Sequence, residues 1–188
     1  RSFWILDNIT PLRQLNAQVA AAETHLYAPQ TAIRFRGGRS MLRGRPVGEN
    51  PPDGAILDYY FKVAPKDEAT LEILDSRGKL LRKYSSKKQP DDRPKSEEPE
   101  EEPAFESMPA EAGMNRFVWN LRASTASRIS GYSLGDYLDG ERGPLVPPGS
   151  YQARLTLSGK SLTTPLAVKP DPRVSTSQAE SKSNSTWA

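Results

Sequence analysis

A chain of 188 residues has room for one domain of ordinary size, or for a smaller domain with long appendages. Apolar residues make up 36% of it beside 13 glycines and 17 prolines, which predicts a modest core with many turns. The formal net charge of +3 does not support nucleic-acid binding by the chain as a whole, and the lack of cysteine excludes disulfides and thiolate metal ligands.

The first residues of the chain, RSFWILDNIT, contain a short apolar run from Phe3 to Leu6. This run is too short for a signal peptide, and no stretch of 18 apolar residues follows that would cross a membrane as a helix. We read residues 2–7 as a strand with bulky side chains on both faces. Because the chain opens on Arg1 and not on methionine, we expect it to continue a longer polypeptide.

A short helix is predicted after this strand. Thr10 followed by Pro11 is typical of a helix N-cap with proline at the first helical position. The stretch LRQLNAQVAAAETHLY then places apolar residues near helical spacing. These residues are Leu12, Leu15, Val19, Ala22 and Leu26.

From Thr31 onward the pattern changes to short strands separated by turns. Ser76–Gly78 and Ser158–Gly159 are hairpin signals, since glycine accepts a positive φ. About seven strands are counted, which predicts an all-β, antiparallel β-sandwich. The strand segments are TAIRFR (31–36), GAILDYYFKV (54–63), ATLEILD (69–75), KLLRKYS (79–85), NRFVWNL (115–121), SYQARLTL (150–157) and KSLTTPLAV (160–168). Side chains alternate between the two faces of a strand, and this alternation predicts the residues of the core. They are Ile73, Phe117, Trp119, Tyr151, Leu155 and Leu157.

Two segments are predicted to lie outside the sandwich. Residues 87–106 are rich in proline and in charged residues, so they cannot bury enough apolar surface to offset the entropy of ordering. We expect a disordered acidic loop there, and a flexible serine-rich tail over residues 175–188.

Catalytic motifs are absent from the sequence. His25 is the only histidine, and no metalloprotease, EF-hand, phosphate-loop or dinucleotide-binding pattern accompanies it. Glycoside hydrolysis needs only two converging carboxylates, but the spacing of the candidates does not distinguish them from turn residues. Those candidates are Asp53, Asp58, Asp136 and Asp139. We therefore expect no catalytic, cofactor-binding or metal-binding residues in this chain.

An arginine-rich stretch, RFRGGRSMLRGR, covers residues 34–45. One interpretation is an RNA-contacting segment that would use Arg36, Arg39, Arg43 and Arg45. The near-neutral chain and the lack of an aromatic stacking platform favour a flexible loop instead, and we expect no nucleic-acid partner.

Several of the segments above also resemble a known family. They are SFWILDNITPLRQL, GENPPDGAILDYYFKV, LEILDSRGKLLRKYSS, GMNRFVWNLR and GPLVPPGSYQARLTLSGKS with PLAVKPDPRV. In this order they resemble the C-terminal region of bacterial BNR-repeat, sortilin-like β-propeller proteins, which are often labelled glycosyl hydrolases. The hairpin at LEILDSRGKLLRKYSS and the strand at PPGSY are also similar to the FlgD-type Ig-like domain.

The resemblance implies a domain organisation and a partner. Residues 1–30 would be the end of a preceding propeller plus a linker helix, and residues 31–174 an Ig-like β-sandwich. The chain would be a non-catalytic accessory domain that packs on the propeller of the same, secreted or periplasmic, polypeptide. Any hydrolase residues would lie upstream of this chain. The residues expected to dock are Phe3, Trp4, Ile5 and Leu6, together with Leu12 and Leu15 of the following helix.

A carbohydrate-binding module is the alternative function. A sugar-stacking platform needs exposed aromatic rings, and the loop SGYSLGDYLDG offers Tyr132 and Tyr137, with Asp136 as a polar partner. The ligand would then be a polysaccharide.

Overall fold

The computed structural model describes residues 8–35, 52–87, 107–124 and 143–173. It contains a 3₁₀ turn at Leu12–Gln14, one α-helix and eight strands in these ranges. The elements are α1 (Ala17–Ala21), β1 (Thr24–Leu26), β2 (Ala32–Arg34), β3 (Ala55–Phe61), β4 (Ala69–Asp75), β5 (Leu80–Ser85), β6 (Gly113–Trp119), β7 (Gly149–Leu157) and β8 (Lys160–Pro170).

The strands form two sheets. One has three strands in the order β1-β3-β6, and the other has five in the order β2-β8-β7-β4-β5. All neighbours are antiparallel except β2, which runs parallel to β8. The predicted all-β fold with two layers is therefore confirmed.

The core lies between the two sheets and follows the alternation of the strands. Inward residues of β3 and β6 form one buried cluster with those of β4 and β7. Of the six predicted core residues, five are buried, and Trp119 and Ile73 have no exposed surface. Leu157 is only partly buried, because it forms the last pair of the β7–β8 ladder, opposite Lys160, at the margin of the sheet.

The predicted N-terminal helix is wrong in extent. Leu15 is extended, with φ −66° and ψ 125°, so the 3₁₀ turn ends there. Asn16, and not Thr10, caps the true helix by accepting a hydrogen bond from the Val19 amide. Thr24–Leu26 belongs to a strand because it pairs with the edge of β3, and this pairing overrides the helical spacing of its apolar residues.

Both predicted hairpin turns are confirmed. Gly78, with φ +82°, joins β4 to β5, and the Asp75 carboxylate accepts the Arg77 and Lys79 amides. Ser158 and Gly159 both have positive φ and connect β7 to β8 in a two-residue loop.

A second local feature lies at the start of β7, in the PPGSY stretch. The Tyr151 hydroxyl donates to the carbonyl oxygen of Pro147, four residues earlier. This bond fixes the turn before β7 to the buried ring of Tyr151.

Three predicted segments cannot be compared with the structure. Residues 2–7 and the tail 175–188 lie outside the described residues, and so does the predicted loop 87–106 apart from Lys87. The described residues on either side of the loop do meet, because the Met108 amide donates to the Ser85 carbonyl at 3.1 Å.

Candidate docking surface

Apart from Leu12 and Leu15, the docking and binding residues predicted from the sequence lie outside the described part of the chain. They are Phe3, Trp4, Ile5, Leu6, Tyr132, Asp136 and Tyr137. Arg36, Arg39, Arg43 and Arg45 also lie outside the described ranges. A candidate site has therefore to be sought on the two outer faces of the sandwich.

The outer face of the five-stranded sheet is polar. The pairing of β5, β4, β7 and β8 places hydroxyl residues opposite one another in a row, and a row of mostly charged residues lies beside it. Arg154 and Glu72 form an ion pair of 2.7 Å in the second row. Such a face is suited to water. The first row is Ser85, Thr70, Thr156 and Ser161, and the second is Lys83, Glu72, Arg154 and Thr163.

The outer face of the three-stranded sheet is different. Its side chains are mainly aromatic and aliphatic, and the one acid there is paired with a base. We call this set the three-strand face. It consists of His25 on β1 and the buried Tyr27 directly after that strand, of Ile56, Asp58 and Tyr60 on β3, and of Met114, Arg116 and Val118 on β6.

The charges on the three-strand face neutralise each other. The Arg116 Nε donates to the Asp58 carboxylate at 2.8 Å, and Nη2 approaches the second oxygen at 3.4 Å. Asp58 is 5% exposed, whereas the Arg116 side chain keeps 43% of its surface. The paired charges leave the aliphatic and aromatic residues to dominate this surface.

His25 and Tyr27 form an aromatic pair on the same face. Their ring centroids lie 4.6 Å apart at an interplanar angle of 80°. Burial lowers the pKa of His25, and burial together with the neighbouring Tyr60 and Asp58 raises the pKa of Tyr27. Both shifts favour the uncharged forms of the rings.

A pH dependence follows for the only histidine. Folded His25 binds a proton less tightly than unfolded His25, so the unfolded state holds more protons below the ordinary pKa of 6.5. The contribution of His25 is therefore complete above this value and lost as the pH falls below it. We expect an NMR titration of its ring protons to give a pKa below 6.5. His25→Gln should make the fall in stability below about pH 7 less steep. An unchanged dependence of stability on pH would contradict this.

The segment before β1 adds exposed aliphatic side chains. Ile9, Leu12 and Leu15 are 40%, 50% and 54% exposed. The segment is held in place by Gln14, whose side-chain amide both donates to the Ala28 carbonyl and accepts from the Ala28 amide at 2.8 Å. These side chains are thus displayed from an anchored backbone.

The described residues do not contain a group of three His, Cys, Asp or Glu side chains that could hold a metal ion. Across the same residues, no helix has the length and apolar character needed to cross a membrane. Of the acids considered for hydrolysis, Asp58 is bound to Arg116.

The sequence prediction missed the three-strand face, although a signal for it was present. The segment AILDYYF of β3 carries bulky residues at both alternations, with Ile56 and Tyr60 facing away from the core. A strand that is apolar on both faces needs cover on both.

Comparisons of this chain with protein-family models, with curated proteins and with solved structures give no match. Surface chemistry is therefore the guide to the function of this chain.

Proposed function

We propose that this chain is a non-catalytic accessory domain that packs on a β-propeller of the same, secreted or periplasmic, polypeptide. The observation that carries the proposal is the contrast between the two outer faces. One face is hydroxyl-rich and charged, and the other carries half-buried Ile56, Tyr60 and Val118 beside exposed Met114. Apolar surface concentrated on one side of a sandwich is typical of an interaction site.

The Ig-like type of the sandwich is part of this proposal. Two features support it: the split into a three-stranded sheet and a sheet with β8, β7 and β4 adjacent, and the Tyr151–Pro147 bond. A tyrosine that bonds backbone a few residues upstream, at the start of the penultimate strand, is a hallmark of Ig-like domains.

The three-strand face also has the electrostatics that docking requires. Burying an unpaired charge at an interface is costly, but Asp58 is already paired with Arg116 within the domain. The uncharged form of His25 is favoured before any partner arrives. Covering this face therefore displaces water from apolar groups without stripping an isolated charge.

The test is a calorimetric titration of this chain with the separately expressed propeller. We expect saturable binding that Met114→Glu weakens by about tenfold or more, since it adds a charge to the apolar surface. Thr163→Glu is the matched control, because Thr163 is exposed on the opposite, polar face. Equal effects of the two variants, or no binding, would refute the proposed face.

The carbohydrate-binding alternative is decided in the same experiment by titration with plant and bacterial polysaccharides. Saturable glycan binding that is lost in Tyr132→Ala or Tyr137→Ala, without affinity for the propeller, would replace the accessory role. We expect neither glycan binding nor glycoside hydrolysis by this chain alone.

A further inference from the structure

Strand edges expose unpaired backbone groups that can recruit another strand, and proteins usually protect them. Among the described residues, the two sheets end at β1, β6, β2 and β5. Three of these four edges are protected. β1 and β2 contain only three residues each, so each offers few free backbone groups to a further strand.

The β5 edge is protected by several devices. Its ladder with β4 is irregular between Ile73 and Leu74, and the strand carries Arg82 and Lys83. The Leu81 carbonyl accepts hydrogen bonds from both the amide and the hydroxyl of Ser124, each at 2.8 Å. A following segment of the same chain thus satisfies part of this edge.

β6 has none of these devices. It is seven residues long and pairs with β3 at seven consecutive positions without a register shift. It contains neither proline nor lysine, and its one charged residue, Arg116, is bound to Asp58. No strand of the described ranges pairs with its other side. β6 is therefore the one long edge in the described part of the chain that lacks protection.

We propose that the outer edge of β6 is a docking site for an extended strand of a partner polypeptide, one with an acidic residue flanked at two positions on either side by apolar residues. Met114, Arg116 and Val118 alternate onto the same face, and Met114 is 50% exposed. The side chains of an added strand would lie beside them at cross-strand distance. The incoming strand should therefore carry an apolar residue beside Met114, an acidic residue beside Arg116 and an apolar residue beside Val118.

Arg116 can engage an acid on the incoming strand while it stays bound to Asp58. A guanidinium carries five N–H donors, and Asp58 takes its bonds from Nε and Nη2. The Arg116 side chain keeps 43% of its surface exposed, so its remaining N–H donors are open to a further acceptor. Charge complementarity therefore selects an acidic residue at this position.

A second copy of this chain does not fit the edge. Antiparallel pairing of two β6 strands with full overlap is centred on Arg116, since the strand runs from Gly113 to Trp119. The two Arg116 side chains would then lie directly opposite each other, and like charges in this position destabilise a sheet. The occupant is for this reason a different polypeptide segment.

The inference uses the backbone edge of β6 together with Met114, Arg116 and Val118, which also belong to the three-strand face. It does not depend on the propeller, because no propeller is present in its test. Its test uses the full chain and a labelled heptapeptide of sequence Ser-Val-Thr-Glu-Thr-Val-Ser. We expect this peptide to bind about fivefold more tightly than the same peptide with lysine in place of glutamate. Hydrogen exchange should slow on binding at the amides of Met114, Arg116 and Val118, which point away from β3. Exchange in β5 should not change.

A matched pair of variants locates the site. Met114→Lys should weaken peptide binding by about fivefold, because it places a charged side chain on the β6 edge, and such charges oppose pairing with a further strand. Leu80→Lys should leave binding unchanged, since Leu80 is 48% exposed on the edge strand of the other sheet. The proposal is overturned if the peptide does not bind at about 1 mM. It is equally overturned if the glutamate and lysine peptides bind alike, or if protection appears in β5 and not in β6.

Discussion

Replacing Trp119 with alanine is expected to lower the free energy of unfolding by about 3–5 kcal/mol, the cost typical of a large-to-small change at a buried aromatic residue. The Trp119 side chain has no exposed surface, and its ring lies edge-on to Tyr151 with centroids 5.9 Å apart. Its indole N–H donates to the Arg122 carbonyl at 2.9 Å, so the substitution also leaves this acceptor without its partner.

The effect of Trp119→Ala can be measured by urea unfolding followed by circular dichroism. Trp119→Phe keeps most of the ring volume and should cost less than the alanine change. Val63→Ala is the surface control, because Val63 is 72% exposed and should change stability by less than about 0.5 kcal/mol. If Trp119→Ala lowers the free energy of unfolding as little as Val63→Ala does, Trp119 is not central to the core.

Gly54→Ala should destabilise the fold by about 2–6 kcal/mol, combining backbone strain of about 1–3 with overpacking of about 1–3 kcal/mol. Gly54 has φ +141°, a conformation that residues with a side chain rarely adopt. A Cβ atom at this position would lie 2.2 Å from the Trp119 carbonyl oxygen of the neighbouring strand. The clash is with backbone, so relief requires β3 and β6 to move apart.

Gly78→Ala is the matched control for Gly54→Ala. Gly78 also has a positive φ, of +82°, but a Cβ there would meet nothing within 4 Å. This variant should show the strain alone, and its thermal melting temperature should fall less than that of Gly54→Ala. Equal losses for the two variants would indicate that the close approach at Trp119 has no energetic consequence.

Much of the fold was predictable because its signals are local. Alternation along β7 correctly placed Tyr151 and Leu155 in the core, and glycine marked the turns at Gly78 and Gly159. These properties depend on the geometry of a few consecutive residues, since side chains alternate along any strand and only certain residues accept positive φ.

The candidate surface was predicted less well. The residues chosen from the sequence, such as Trp4 and Tyr132, fall outside the described ranges. The sequence did indicate bulky residues at both alternations of β3. It could not indicate that Tyr60 lies beside His25 on one side and Met114 on the other, because those neighbours are distant in the chain.

The sequence by itself determined the all-β class, most strand positions, the hairpin turns and most of the core. Only the tertiary structure decided that Thr24–Leu26 is a strand, that β2 runs parallel to β8, and that β6 is the last strand of its sheet in the described part of the chain. Alternation tells which residues share a face, but not which strand lies alongside. Strand neighbours are chosen by pairing between distant segments, and this choice set the chemistry of both outer faces and the open edge of β6.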